Sequence, residues 1–218
     1  MRKRNVDQLI GHQFARIAFT PTVRAIQEAE GSRTAYAKND LGEAHHHLLS
    51  SREAAFIAMR DSFYMATVTE TGWPYMQHRG GPPGFLRVLD EKTLGFADYR
   101  GNRQYVSVGN LANNDRVALF LMDYPNRARL KILGRAKVIG LKDDAALIAK
   151  LMTPGYRAKP EHAMLVTVEA FDWNCSQHIT ERFTLADVER ATEGLRGRIA
   201  ELEEELARAR IAPPAHVG

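Results

Sequence analysis

A chain of 218 residues, 44% hydrophobic and 26% charged, has the composition of an ordinary soluble protein, long enough to bury about 70% of its unfolded surface in one domain with appendages. A net charge of only +4, with no basic helix interleaved with aromatics, points away from a nucleic-acid partner, and no apolar run approaches the ~20 residues that span a bilayer. The single cysteine, Cys175, excludes an intrachain disulfide, and the basic start MRKRNVDQLIGHQF lacks the apolar core of a secretory signal, so a cytoplasmic protein with a structural thiol is expected.

Residues 1–50 read as an accessory segment with one helix, from Pro21 or Thr22 to about Ala29, capped by Thr20 and stopped near Gly31. The triplet His45, His46, His47 has no set of acidic or thiol partners at ligand spacing, so it reads as a solvated or ligand-edge loop and no metal is expected. Ser50 and Glu53 form a capping box for a helix that ends near Arg60.

Strand signals follow. Phe63 to Thr69 and Pro74 to Arg79 flank the turn Thr71-Gly72, and GGPPG over 80–84 makes a rigid connection. Further strands are expected over Phe85 to Leu89, Thr93 to Asp98, Arg116 to Met122, Arg127 to Ile139 and Ala163 to Phe171. Short helices are expected over Gln104 to Ala112 and Asp143 to Met152. Six or seven strands arranged in hairpins describe a β-barrel with helical additions, and the lack of a GxGxxG after a first strand disfavours a Rossmann fold.

Two stretches carry the chemistry. In FADYRGNRQYVSVG, 96–109, an apolar run ends, the chain turns through Gly101 and a helix pattern starts with Asn102 as N-cap. Free N–H groups there, with Arg100 and Arg103 on either side, would make a phosphate pocket. In the second stretch Arg127, Arg129, Lys131, Arg135 and Lys137 share one strand face and Ala128, Leu130, Ile132, Ala136 and Val138 the other. A face with five cations and no acid must meet water or an anion. Beyond the strands, Leu185, Val188, Thr192, Leu195, Ile199, Leu202, Leu206 and Ala209 recur at steps of three and four, a heptad seam that pairs with its own copy or packs on the sheet. The expected organisation is an accessory segment over 1–50, a β domain over 51–184, the heptad helix over 185–210 and a flexible tail over 211–218.

The succession QHRGG at 77–81, FADYRGNRQ, NLANNDRVALFLM, RARLKILGRAKVI and FDWNCSQHITERF resembles the pyridoxamine 5′-phosphate oxidase-like family of FMN-binding split barrels, closest to its branch of predicted flavin-nucleotide-binding proteins. The resemblance spans about 50–184 and implies a mainly β protein with helices (α+β): a six-stranded antiparallel split barrel with an N-terminal helical segment and a long C-terminal helix. It implies FMN as cofactor, held by Arg79 with Gln77, His78 and Gly80 beside it, and by Asp98, Tyr99, Asn102, Arg103 and Gln104 around the phosphate. Gln104 stands where the oxidases carry a lysine, a lost charge for which Arg100 compensates. Arg129 and Lys131 fall on the family's RQVR motif, Trp173 on the tryptophan near the ring, and Arg182 on a later arginine whose spacing differs by one.

In that family the flavin sits between two subunits, so the resemblance implies a homodimer with two sites. Redox chemistry would reside in the flavin, and no side chain is singled out as a catalytic acid or base. The substrate motif of true pyridoxamine phosphate oxidases is absent, so the expected activity is an FMN-dependent oxidoreductase acting on another small molecule. The competing readings are a non-catalytic flavin carrier or sensor, a heme or deazaflavin binder, and a nucleic-acid-binding barrel.

Overall fold

The computed structural model describes residues 10–41, 43–173 and 177–211. Cys175 and the expected tail from 212 onward lie outside the described residues. In the N-terminal segment β1 (Ile10–His12) runs into α1 (Gln13–Ala18), followed by α2 (Pro21–Ala29), α3 (Arg33–Tyr36), a 3-10 turn over Ala37–Asp40 and β2 (Glu43–His45). The one helix expected there is α2, and Thr20 caps it by accepting from the Val23 N–H at 3.4 Å. The additional pieces are too short for periodicity to reveal. They are held by tertiary partners: β1 pairs in parallel with β2, and α1 lies against the last long strand.

The main sheet begins after α4 (Ser51–Ala58), whose capping box between Ser50 and Glu53 forms as expected. Its strands are β3 (Ser62–Val68), β4 (Pro74–Gly80), β5 (Arg87–Val88), β6 (Thr93–Tyr99), β7 (Arg116–Asp123), β8 (Ala128–Gly140) and β9 (Pro160–Trp173). Helix α5 (Val106–Asn113) follows β6, α6 (Ala145–Leu151) follows β8, and α7 (Leu185–Ile211) ends the described chain. All the pairings are antiparallel, in the order β4-β3-β7-β8-β9-β6-β5. The sheet has seven strands rather than the six of the expected barrel. The third predicted strand, Phe85 to Leu89, shrinks to the two residues of β5, because Phe85 and Leu86 turn into the core instead of extending along a ladder.

Alternation determines which face each side chain joins. Along β3 and β7, Phe63, Met65, Thr67, Val117, Leu119 and Leu121 are buried, while Tyr64, Ala66, Ala118 and Phe120 face the other way. Phe63, Phe85 and Phe96 form the aromatic centre of the core, with ring centroids 5.3–6.4 Å apart. Burying each such ring stabilises the fold by about 1.5–3 kcal/mol. Strand β8 shows the predicted alternation, with Leu130 and Ile132 fully buried and Arg135 and Lys137 exposed. Two of its cations meet the chain's own carboxylates, Lys131 with Asp172 at 2.7 Å and Arg135 with Asp115 and Glu169, while Arg127, expected on the strand, precedes it with φ 50° and pairs with Glu181.

Although β4 and β6 lie toward opposite ends of the strand order, Arg79 on β4 forms an ion pair with Asp98 on β6. The sheet therefore curls until these two strands meet through side chains. No described helix is long and apolar enough to cross a membrane.

Candidate functional site

The predicted residues gather in two places. The first is a polar cleft of about 280 Å³ where β4, the end of β6 and the start of α5 converge. Of the predicted residues, Gln77, Arg79, Asp98, Tyr99, Asn102, Arg103 and Gln104 line it, joined by Tyr75, Ser107 and Glu161. On β4, Tyr75, Gln77 and Arg79 share one face by alternation, and the Ser107 hydroxyl donates to Gln77 Oε1 at 2.9 Å.

The loop between β6 and α5 shapes the floor of the cleft. The helix starts at Val106, two residues later than the expected Gln104, and Asn102 is not its cap. Instead, Asn102 Oδ1 accepts from the Gln104 N–H at 3.2 Å, an Asx turn, and Tyr105 occupies the cap position in the left-handed region. Arg103 and Tyr105 both have positive φ, 61° and 52°. Left-handed residues in a tight turn produce the concave row of amides that binds anions, and a non-glycine residue held there costs energy that a functional turn repays.

The charges in this cleft are balanced and tightly placed. Arg79 and Asp98 are both nearly buried and paired, yet Arg79 Nε is buried without an acceptor. Burial pushes the Asp98 carboxyl above its ordinary value of 3.8, and the nearby Arg79 guanidinium only partly offsets this. Glu161 accepts from Arg100 Nε at 2.9 Å and from the Tyr105 hydroxyl at 3.2 Å, and these bonds, Arg100 first, hold its carboxyl below the usual range. Arg103 Nε donates to the Tyr105 oxygen at 2.8 Å. Arg100 is thus engaged with Glu161 and does not line the cleft where the lost lysine charge was to be replaced.

The second place is a larger cavity of about 710 Å³ on the outer face of β3, β4, β7 and β8. Arg129, Lys131 and Arg182 line it, against walls that include Phe14, Tyr64, Met76 and Phe120. The Arg129 guanidinium lies 5.7 Å from the Phe120 ring centroid, and its Nε is buried with no acceptor. Lys131 stands 4.6 Å from the Phe14 ring centroid.

The remaining predicted residues join neither set. His78 alternates to the outer face of β4 and packs edge-on to Tyr64 at 5.6 Å, while Gly80 pairs with Ser62 at the end of the hairpin. Trp173 sits opposite Leu130, on the core side of the sheet. Its Nε1 donates to Glu53 Oε1 at 2.7 Å and its ring packs edge-on to Phe56 at 4.7 Å. Among the described residues no cluster of His, Cys, Asp and Glu is suited to a metal. The histidine triplet is not simply a solvated loop, since His46 stacks on His12 at 4.2 Å.

Tyr75 and Glu161 lie outside the sequence motifs, and Ser107 lies inside the stretch 96–109 without being singled out there. Tyr75 is recoverable from the period of two that also selects Gln77 and Arg79, whereas Glu161 lies 61 residues from Arg100 in the chain and carries no local signal.

An anionic group fits the small cleft. It offers an orphaned buried N–H on Arg79, a second cation in Arg103 and a doubly left-handed loop. Its 280 Å³ lies below the ~300–1,000 Å³ of sites that enclose a whole cofactor-sized ligand.

No curated protein matches the chain. Among solved structures, HupZ of Group A Streptococcus is similar with a TM-score of 0.48 and 16% identity, over 62% of this chain and 100% of that one. A Clostridium acetobutylicum protein related to general stress protein 26 gives 0.42 and 17%, over 63% and 94%. A FAD-binding protein of Mesorhizobium loti gives 0.38 and 16%, over 57% and 94%. The family model described as pyridoxamine 5′-phosphate oxidase matches residues 49–172, more than half of the sequence and nearly the whole stretch from the capping box of α4 to the end of β9. The chain belongs to the pyridoxamine 5′-phosphate oxidase family.

Proposed function

We propose that this protein binds FMN in a split barrel and acts as an FMN-dependent oxidoreductase on a small-molecule substrate, as a homodimer with its flavin sites between the subunits. The observation that carries the reading is the division of the cationic and aromatic residues into two sets on opposite faces of β4. The small cleft suits a phosphate and the sugar chain next to it, with Arg79, Arg103 and the left-handed loop as donors. The larger cavity has the aromatic walls and the cations, Arg129 and Lys131, that suit a ring system accumulating negative charge on reduction. One protomer keeps these sets apart, and a two-fold related copy is the simplest way to bring the small cleft of one against the outer face of the other.

When bound, FMN supplies the electron-accepting chemistry. The protein's own part is to bind and orient. Asp98 holds the Arg79 side chain, Glu161 gathers Arg100 and Tyr105, and Tyr105 in turn fixes Arg103.

The test is the visible spectrum of the purified protein and the identity of whatever heat releases. Released FMN, with Arg103→Ala weakening its retention about tenfold, supports the reading. Reduction by a nicotinamide donor, with reoxidation by a small molecule at useful rates, separates an enzyme from a flavin carrier. A colourless protein that takes up no added FMN overturns the proposal and directs the titrations to heme and deazaflavin.

A further inference from the structure

Helix α7 leaves its apolar side uncovered. Leu195 is 66% exposed, Ile199 55%, Leu202 46% and Leu206 52%. The ion pairs along α7 join residues of α7 to one another, Arg190 to Asp187, Arg198 to Glu201 and Glu205, and Arg208 to Glu204. The helix also contains Gly194 and Gly197, each with open space where a side chain would be and each costing roughly 0.5–1 kcal/mol relative to alanine. In proteins most of a helix's stability comes from packing its apolar face rather than from propensity, and two glycines lower the propensity of this one, so its seam calls for a partner.

We infer that the partner is α7 of a second copy, in a parallel, in-register two-stranded coiled coil. Leu185, Thr192, Ile199 and Leu206 occupy one core position of the heptad, and Val188, Leu195, Leu202 and Ala209 the other. Thr192 does not bring an unsatisfied hydroxyl into the seam, because its Oγ1 donates to the Val188 carbonyl at 2.8 Å. Both glycines fall on outer positions. The repeat runs through about three and a half heptads, enough to sustain a coil.

Charge selects the arrangement. In a parallel coil each residue just before the first core position faces the residue five places on in the other strand. Arg198 of one copy then faces Glu203 of the other, and Glu205 faces Arg210, each pair occurring twice by symmetry; the third such pair sets Arg196 against the uncharged Ala191. The antiparallel register that overlaps nearly the whole helix sets Leu195 against Ile199. It places Arg198 on Arg198, Arg196 on Arg196 and Glu189 on Glu203, all like charges. The coil does not depend on flavin binding, and its parallel arrangement leaves both sheet bodies at the same end.

The experiment uses the full chain with Cys175→Ser and one new cysteine. Under oxidation, Leu202→Cys forms an interchain disulfide, because identical core positions face each other within reach, while Gly197→Cys on the outer surface does not. Arg198→Glu slows the Leu202→Cys cross-link and adding Glu203→Arg restores it. No cross-link at Leu202, equal cross-linking at 197 and 202, or cross-linking only when Thr192→Cys and Leu202→Cys chains are mixed would each overturn the inference. The readout is a covalent dimer on a gel, so a protein that binds no flavin still answers the question.

Discussion

Arg79 and Asp98 show how a single pair serves both fold and site. The two side chains come from strands far apart in the sheet order and are nearly buried together. Removing the arginine leaves a buried carboxylate without its guanidinium partner, His162 Nδ1 standing 3.9 Å away, and such a loss costs about 3–5 kcal/mol in comparable settings. Burial already raises the Asp98 carboxyl above its ordinary 3.8. A carboxyl with a raised folded value takes up its proton in the folded state first, so its contribution to stability is present in acid and lost as pH rises through that value. Arg79→Met is therefore expected to destabilise strongly at pH 8 and less as the pH is lowered toward 4, measured by urea unfolding at each pH. A loss independent of pH would mean that Asp98 is not the group left exposed to the change. Glu53 is the contrasting case. Burial pushes its carboxyl up, but bonds from Ser50 and the Trp173 indole outweigh burial and hold it below 4.5. That bond explains why Trp173, expected beside a flavin ring, is instead anchored to the core side of the sheet.

Among the elements, β8 carries the most weight, since it joins the two halves of the sheet and presents Arg129 and Lys131. Its register against β9 shifts between Leu133 and Gly134, where Glu169 is the extra residue of a bulge on β9. A Cβ on Gly134 would lie 2.5 Å from the Thr167 carbonyl oxygen and 2.8 Å from Val166 Cγ1, and the first of these is backbone that cannot swing aside. Gly134→Ala is expected to cost about 1–3 kcal/mol, read as a lower urea midpoint with an unchanged slope. The alternation of β8 is legible in the sequence because a period of two needs only neighbours along the chain. The bulge is not, since it depends on what β9 presents across the ladder. The same distinction explains α5: a helix is readable after β6, but Tyr105 and Arg103 turn left-handed in a loop closed by Glu161 on β9, which delays the helix to Val106.

At the scale of the whole molecule, the two cavities make a prediction about assembly. If one flavin draws on the small cleft of one copy and the outer face of another, Arg103→Ala and Arg129→Ala damage different halves of a shared site. Mixing the two variants under conditions of subunit exchange should then restore flavin binding to about a quarter of the sites, because half the dimers are mixed and each mixed dimer keeps one intact site. Recovery of none, with each variant defective alone, would place both arginines in one protomer's site. Such an outcome would leave the coil of α7 untouched. By itself the sequence determined the local structure: the capping box of α4, the Thr20 cap of α2, the alternation of β3, β4 and β8, and the heptad seam of α7. Each of these is written in residues that lie within a turn or a pleat of one another. It also marked Gln77, Arg79, Asp98, Tyr99, Asn102, Arg103 and Gln104, which the fold gathers into one cleft. Only the tertiary structure decided that Arg100 turns to Glu161, that His78 faces away, that Trp173 packs on the core side and that Arg129 and Lys131 line a separate cavity. These outcomes depend on which strands become neighbours and how far the sheet curls, and both follow from the summed burial of the core rather than from any short stretch of chain.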